Sequence, residues 1–144
     1  MSYYRALDGE MDRRKEMTNV ITNFMWLTMC IYFEGRNQDM EGMVAVGHVI
    51  MTRVERRDAS VKDIVLAPYQ FSWTNKNDPQ KRIINDINSL VRAANAATKV
   101  LEERLEGKDF FGADHYFNWK EVLPGWAKDM KFIARIKDHD FYKS

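Results

Sequence analysis

The stretch Trp26–Val54, WLTMCIYFEGRNQDMEGMVAVGHVIMTRV, decides how the rest of the chain is read. From Asn19 to Phe33 no residue is charged and most are apolar. Val20, Ile21, Phe24, Met25, Trp26, Leu27, Met29, Cys30, Ile31 and Phe33 surround a helical axis, which predicts a helix buried on all sides at the centre of a fold. The apolar run stops at Glu34. Gly35 suits a left-handed residue that ends the helix. Asp39 then caps a second helix, Met40 to about Arg57. Small residues at Gly42, Ala45 and Gly47 leave room for a neighbouring helix to approach closely. The segment therefore predicts two packed helices with an acid at the joint between them.

An acid at that joint has a chemical consequence. Apolar turns before it would strip water from the carboxyl, and desolvation raises a carboxyl pKa. The end of a helix carries partial negative charge, which pushes the same way. Arg36 would oppose both effects if it paired with Glu34. A carboxyl that keeps its proton near neutral pH is a general acid. Its natural task is protonating a leaving oxygen, as in glycoside cleavage. The plainer reading is a solvated glutamate at a helix end.

Working outward, residues 1–16 are charged with few apolar anchors and predict an arm or short helix beside a single globular domain over 17–144. Thr18 or Asn19 is placed to cap the central helix. Ser60 with Asp63 resembles a capping box opening a short helix to Leu66. The segment 67–79, APYQFSWTNKNDP, has no clear period and reads as an ordered loop. Asp78-Pro79 is a helix start. The helix it opens would run to about Glu106, with Ile83, Ile84, Ile87, Leu90, Val91 and Leu101 among its apolar face and Gly107 as its stop. After it, HYFNW (115–119) and KFIARI (131–136) are short β-prone runs on either side of VLPGW (122–126). They predict a small hairpin or paired edge before the terminal DHDFY (138–142). The fold class is α+β, mostly helical, with a central buried helix and a small β-hairpin near the C-terminus.

Composition bounds the function. The 144 residues fit one domain that builds a core without disulfides or metal. A net charge of +1 argues against a protein that relies on bulk attraction to nucleic acid or anionic lipid, and leaves room for a local basic patch. Cys30, the only cysteine, forms no internal disulfide and reads as a small buried hydrophobe. The run Val20–Phe33 is about 14 residues, short of the roughly 20 that span a membrane. The preceding Arg13, Arg14 and Lys15 faintly resemble a signal peptide, but Glu16 interrupts and no small-residue cleavage site follows. The expectation is a chain with no signal peptide and no stable membrane insertion.

No nucleophile elbow, HExxH, paired CxxC or phosphate loop is present. His115, His139 and an aspartate such as Asp114 or Asp140 could gather around zinc, at a spacing that is not diagnostic, while His48 sits in a helix pattern and reads as packed. No metal and no cofactor are expected. Gln70, Phe71, Ser72, Trp73, Asn75 and Asn77 put flat rings and hydrogen-bonding amides into one loop, and Tyr116, Asn118, Trp119 and Trp126 add more. Such groups hold sugars; equally, aromatics fill cores and amides make turns.

These blocks carry a resemblance. IYFEGRNQDMEGMVAVGHVIMTRV (31–54) is similar to the signature of the SleB-type cell wall hydrolases, the spore cortex-lytic enzyme family. YQFSW (69–73), HYFN (115–118) and DHDFY (138–142) resemble its later motifs, in the same order, over roughly Thr18 to Tyr142. The resemblance implies a lysozyme-like α+β domain that cuts the glycan strands of peptidoglycan. It implies Glu34 as the catalytic acid, with Arg36, Gln70, Phe71, Ser72, Tyr116, Asn118, His139 and Tyr142 as substrate-binding residues. Gly35, Asn37, Gln38, Asp39 and Thr52 depart from the family pattern. Gln38 stands where the family has a second glutamate, leaving Glu34 as the only acid of that pair.

A lytic transglycosylase is the activity implied, with a hydrolytic muramidase using Asp78, Asp114 or Asp140 as the close competitor. The partner is the glycan strand, with no nucleic acid, and the chain is expected to be a monomer. The expected setting is a phage endolysin made in the host bacterial cytoplasm and acting in the periplasm or cell wall. Readings from other classes are a non-catalytic peptidoglycan-binding module and a metal-dependent wall amidase.

Overall fold

A computed structural model describes residues 3–67, 71–74 and 84–144, with the backbone alone at 3–8 and at Ser72. Four helices come first: α1 (Tyr3–Gly35), α2 (Met40–Arg57), α3 (Val61–Leu66) and α4 (Ile87–Leu105). Three strands follow: β1 (His115–Asn118), β2 (Lys131–Ile136) and β3 (His139–Lys143). They form one antiparallel sheet in the order β1-β3-β2. The fold is thus α+β and mostly helical, with the small sheet at the C-terminal end.

The helix starts follow side-chain chemistry. Asp39 accepts from the Gly42 amide at 2.9 Å, and Ser60 accepts from the Asp63 amide at 3.1 Å. Each satisfies one of the amide donors left over in a first helical turn. The core lies where α1, α2 and α4 meet, and Leu27, Ile31, Tyr32, Met43, Val46 and Ile50 are fully buried there. Burial of each such apolar side chain contributes about 1.5–3 kcal/mol. At Gly47 an added Cβ would come within 2.6 Å of Val100 Cγ2 and 3.0 Å of Ile31 Cδ1. Close approach of the three helices depends on that missing side chain.

Several expectations are corrected. Residues 1–16 do not end before a new helix at Thr18; α1 is continuous from Tyr3. Thr18 caps nothing, because its hydroxyl donates to the Arg14 carbonyl one turn back at 3.0 Å. Nor is α1 buried on all sides: residues 9–21 are exposed, Val20 and Ile21 among them, and burial begins only in the following turn. Gly35 keeps helical geometry. Its role is contact, since a Cβ there would lie 3.3 Å from Met43 Cγ.

The helix expected from Asp78-Pro79 begins at Ile87 among the described residues, capped by Asp86, which accepts from the Ser89 amide at 3.1 Å. Its buried face is Ala93, Ala96, Ala97 and Val100, whereas Ile84, Ile87 and Val91 are exposed. DHDFY is no appendage after a hairpin. It supplies the central strand, and HYFN pairs with it rather than with KFIARI.

Candidate active site

Glu34 lies at the end of α1, half-buried, one turn after the fully buried Cys30. Phe33 beside it stacks on Trp73, with ring centroids 4.7 Å apart and planes 19° apart. From the sheet, the Tyr116 hydroxyl donates to Glu34 Oε2 at 3.1 Å, joining residues 82 positions apart. Burial raises the Glu34 pKa from its ordinary 4.5 to about 7. The Tyr116 hydrogen bond and the positive charge of Arg53 pull the other way and do not overcome it. A carboxyl that titrates near neutral pH is suited to donating a proton in one step and taking one back in the next.

Strand parity decides which side chains share the site. Tyr116 opposes Phe141 and Asn118 opposes His139, so these four project from one face of the sheet. The His139 ring lies 5.0 Å from that of Tyr116, and burial lowers its pKa, so it is neutral near pH 7. Asn118 closes β1, its side-chain oxygen accepting from the Lys120 amide at 3.0 Å. Tyr142 opposes His115 and projects from the other face, where it stacks on Phe117 at 5.6 Å and meets Trp126. The structure therefore brings Tyr116, His139 and Asn118 to the Glu34 side and turns Tyr142 away.

Phe71 is buried, with the Arg53 guanidinium 6.0 Å from its ring centre. Ser72 opens a short 3-10 turn through Thr74. Gln70, Asn75, Asn77, Asp78 and Pro79 lie outside the described residues. Arg36 faces elsewhere: it donates to the Tyr32 hydroxyl at 3.3 Å, which in turn donates to Asn85. The cation acting on Glu34 is Arg53, from α2. Arg53 also donates from Nε to the Asp114 carbonyl at 2.8 Å. In the sequence it stands only within HVIMTRV; a lone arginine one turn before the exposed end of an apolar helix is the available signal.

Of the acids the sequence offered as partners for Glu34, Asp114 and Asp140 are taken. Asp114 accepts from Arg56, from Ser144 and from His115 Nδ1. Burial alone would raise its pKa, but these hydrogen bonds outweigh it and hold the carboxyl at about 2. Asp140 is gripped by both arms of the Arg135 fork, at 2.7 and 3.0 Å, on the Tyr142 face. His115 and His139 project from opposite faces, so the zinc grouping does not assemble. Among the described residues no cluster of three or more potential metal ligands is present. His48, a helix residue as expected, is buried and joined to Glu103 at 2.7 Å. A cavity of about 500 Å³ lies beside it, between α2, α4 and Phe110, and does not include Glu34. No helix of the described residues is long and apolar enough to cross a membrane.

Gln38 is buried in the turn after Glu34. Its Nε2 donates to Asp138 at 3.2 Å, and its backbone carbonyl accepts from Arg92 at 3.0 Å. A neutral amide suits this place, since a carboxylate would face Asp138. The departure from the family pattern is thus matched by its local partner.

A half-buried acid at a helix end, facing a small antiparallel sheet, belongs to a lysozyme-like fold. The chain belongs to the cell wall hydrolase family, whose pattern matches residues 37–142 and begins just after Glu34. The fold is similar to the catalytic domain of the germination-specific lytic transglycosylase SleB from Bacillus anthracis, with a TM-score of 0.66 and 24% identity over 84% of this chain and 93% of that one. It is also similar to the catalytic domain of the Bacillus cereus SleB protein, with a TM-score of 0.63 and 23% identity over 84% of this chain and 89% of that one. No curated protein sequence matches the chain.

Proposed function

We propose that this enzyme cleaves the β-1,4 bond between N-acetylmuramic acid and N-acetylglucosamine in peptidoglycan, as a lytic transglycosylase with Glu34 as its one acid and base. The observation that carries the proposal is the Glu34 carboxyl, held near a pKa of 7 by burial and aimed by the Tyr116 hydroxyl. In the first step Glu34 gives its proton to the glycosidic oxygen. The bond from that oxygen to the muramic anomeric carbon breaks, and the substrate's N-acetyl oxygen supports the positive charge left behind. In the second step the Glu34 carboxylate takes the proton of the sugar's C6 hydroxyl. The C6 oxygen then bonds to the anomeric carbon and closes a 1,6-anhydro ring. The proton returns to Glu34, and no water is consumed.

The single-acid route is supported by the state of Asp114 and Asp140, each committed to ion pairs and hydrogen bonds. A paired-carboxylate hydrolysis needs a second free acid across the sugar. The role as an endolysin acting on the wall from the host cell belongs to the same proposal and rests on the sequence reading.

The test is digestion of purified sacculi followed by mass analysis of the fragments. Anhydro ends, lighter by one water than reducing ends, are expected from the native enzyme and none from Glu34→Gln. Reducing ends in their place would make it a muramidase. Full lysis by Glu34→Gln would remove the acid from the mechanism altogether.

A further inference from the structure

Arg53 takes no part in the two steps above, yet three elements around Glu34 meet on it. It is a half-buried residue of α2. Its Nε donates to the carbonyl of Asp114, the residue immediately before β1. Its guanidinium lies against Phe71, in the segment that carries Trp73 onto Phe33. Tyr116, two residues beyond Asp114, is the hydrogen-bond donor to Glu34. The Asp114 carboxylate is committed to Arg56, Ser144 and His115, leaving its carbonyl to Arg53.

The groups that face Glu34 can be named element by element. Cys30 comes from α1 and Tyr116 from β1; burial, the largest influence on each, raises both pKa values well above the ordinary, so both are neutral at pH 7. His139 reaches the Tyr116 ring from β3 and is neutral as well. Arg53, from α2, is the charged group among the described residues that acts on Glu34.

We infer that Arg53 is a positioning residue for this site: it ties the start of β1 and the Phe71 segment to α2, holds the Tyr116 hydroxyl on Glu34, and sets a fixed positive charge beside the acid. The inference rests on the single-acid reading. In that scheme Glu34 must be a carboxylate for the ring closure, and the Tyr116 hydrogen bond and then the Arg53 charge oppose the burial that would lock the proton on. A hydrogen-bonding anchor alone would act on the charge state of Glu34 only through Tyr116. A charged anchor also acts on it directly.

The test compares Arg53→Met, which removes the charge, with Arg53→Lys, which keeps it. Two readouts are used: the alkaline limb of kcat/KM on sacculi, and a carbon NMR titration of the Glu34 carboxyl, which needs no activity. For Arg53→Met both should move to higher pH by about one unit, with kcat lower by about tenfold or more. Arg53→Lys should restore the limb and the titration, and only part of kcat. A folded Arg53→Met protein that titrates like the native one overturns the inference. If Arg53→Met does not fold, Arg53→Lys decides alone: a Glu34 titration displaced by a full unit despite the retained charge overturns it. These results are separable from the parent reading, which Glu34→Gln tests by itself.

Discussion

Replacing Glu34 by Gln should abolish activity and, above neutral pH, make the protein more stable. In the unfolded chain the glutamate titrates near 4.5; in the folded protein it titrates at about 7. Between those values the folded state binds more protons than the unfolded one, so stability falls as pH rises through that window. The sign is the reverse of the common case of a carboxylate held below its ordinary pKa. The shift of about 2.5 units corresponds to about 3 kcal/mol, fully lost above pH 7 and fully recovered below about pH 4.5. Gln is neutral throughout and escapes this loss, although its amide forfeits part of the Tyr116 geometry.

Urea unfolding of both proteins at intervals between pH 4.5 and 8.5 measures the difference directly. The curves should separate in favour of Gln by about 1.4 kcal/mol per pH unit in the steep part of the window. Activity on sacculi should fall by about 100-fold or more. Parallel stability curves across that range would mean that Glu34 ionises freely in the folded protein. The proton-holding argument would then fail, whatever the activity did.

Two further substitutions test how the site is supported. Gln38→Glu sets a second carboxylate against Asp138 in a buried turn and should cost about 1–3 kcal/mol near neutral pH, with part of the loss recovered in acid; thermal unfolding at pH 4 and pH 7 measures it. Gly47→Ala drives a methyl into Val100 and Ile31, and should lower stability by about 1–3 kcal/mol while leaving the pH dependence of cleavage in place.

The sequence showed where α2 and α3 begin and that Glu34 ends the first apolar helix, because those depend on neighbours in the chain. Asp39 and Ser60 cap as their spacing predicts, and the loss of charge before Glu34 marked the apolar wall that shelters it. Other features depend on parity and direction, which one sequence does not fix. Tyr116 and Tyr142 look alike as motif tyrosines, yet β3 opposes Tyr142 to His115, one position off, and that single step sends it to the other face. Arg36 is two residues from Glu34 and turns to Tyr32, while Arg53, from another helix, supplies the charge. The exposed turns of α1 were misjudged because an apolar pattern around a helix says nothing about whether neighbours exist to cover it.

The pairing of β1 with β3 also sets when the candidate site can close. During synthesis Glu34 emerges 82 residues ahead of Tyr116, about 4–16 s earlier at ordinary translation rates. Tyr116 then has no ordered strand until His139–Lys143 has been made and laid between β1 and β2. Until β3 is in place, the strand that presents the Tyr116 hydroxyl to Glu34 lacks its partner, so the contact between these two residues is among the later ones the chain can make.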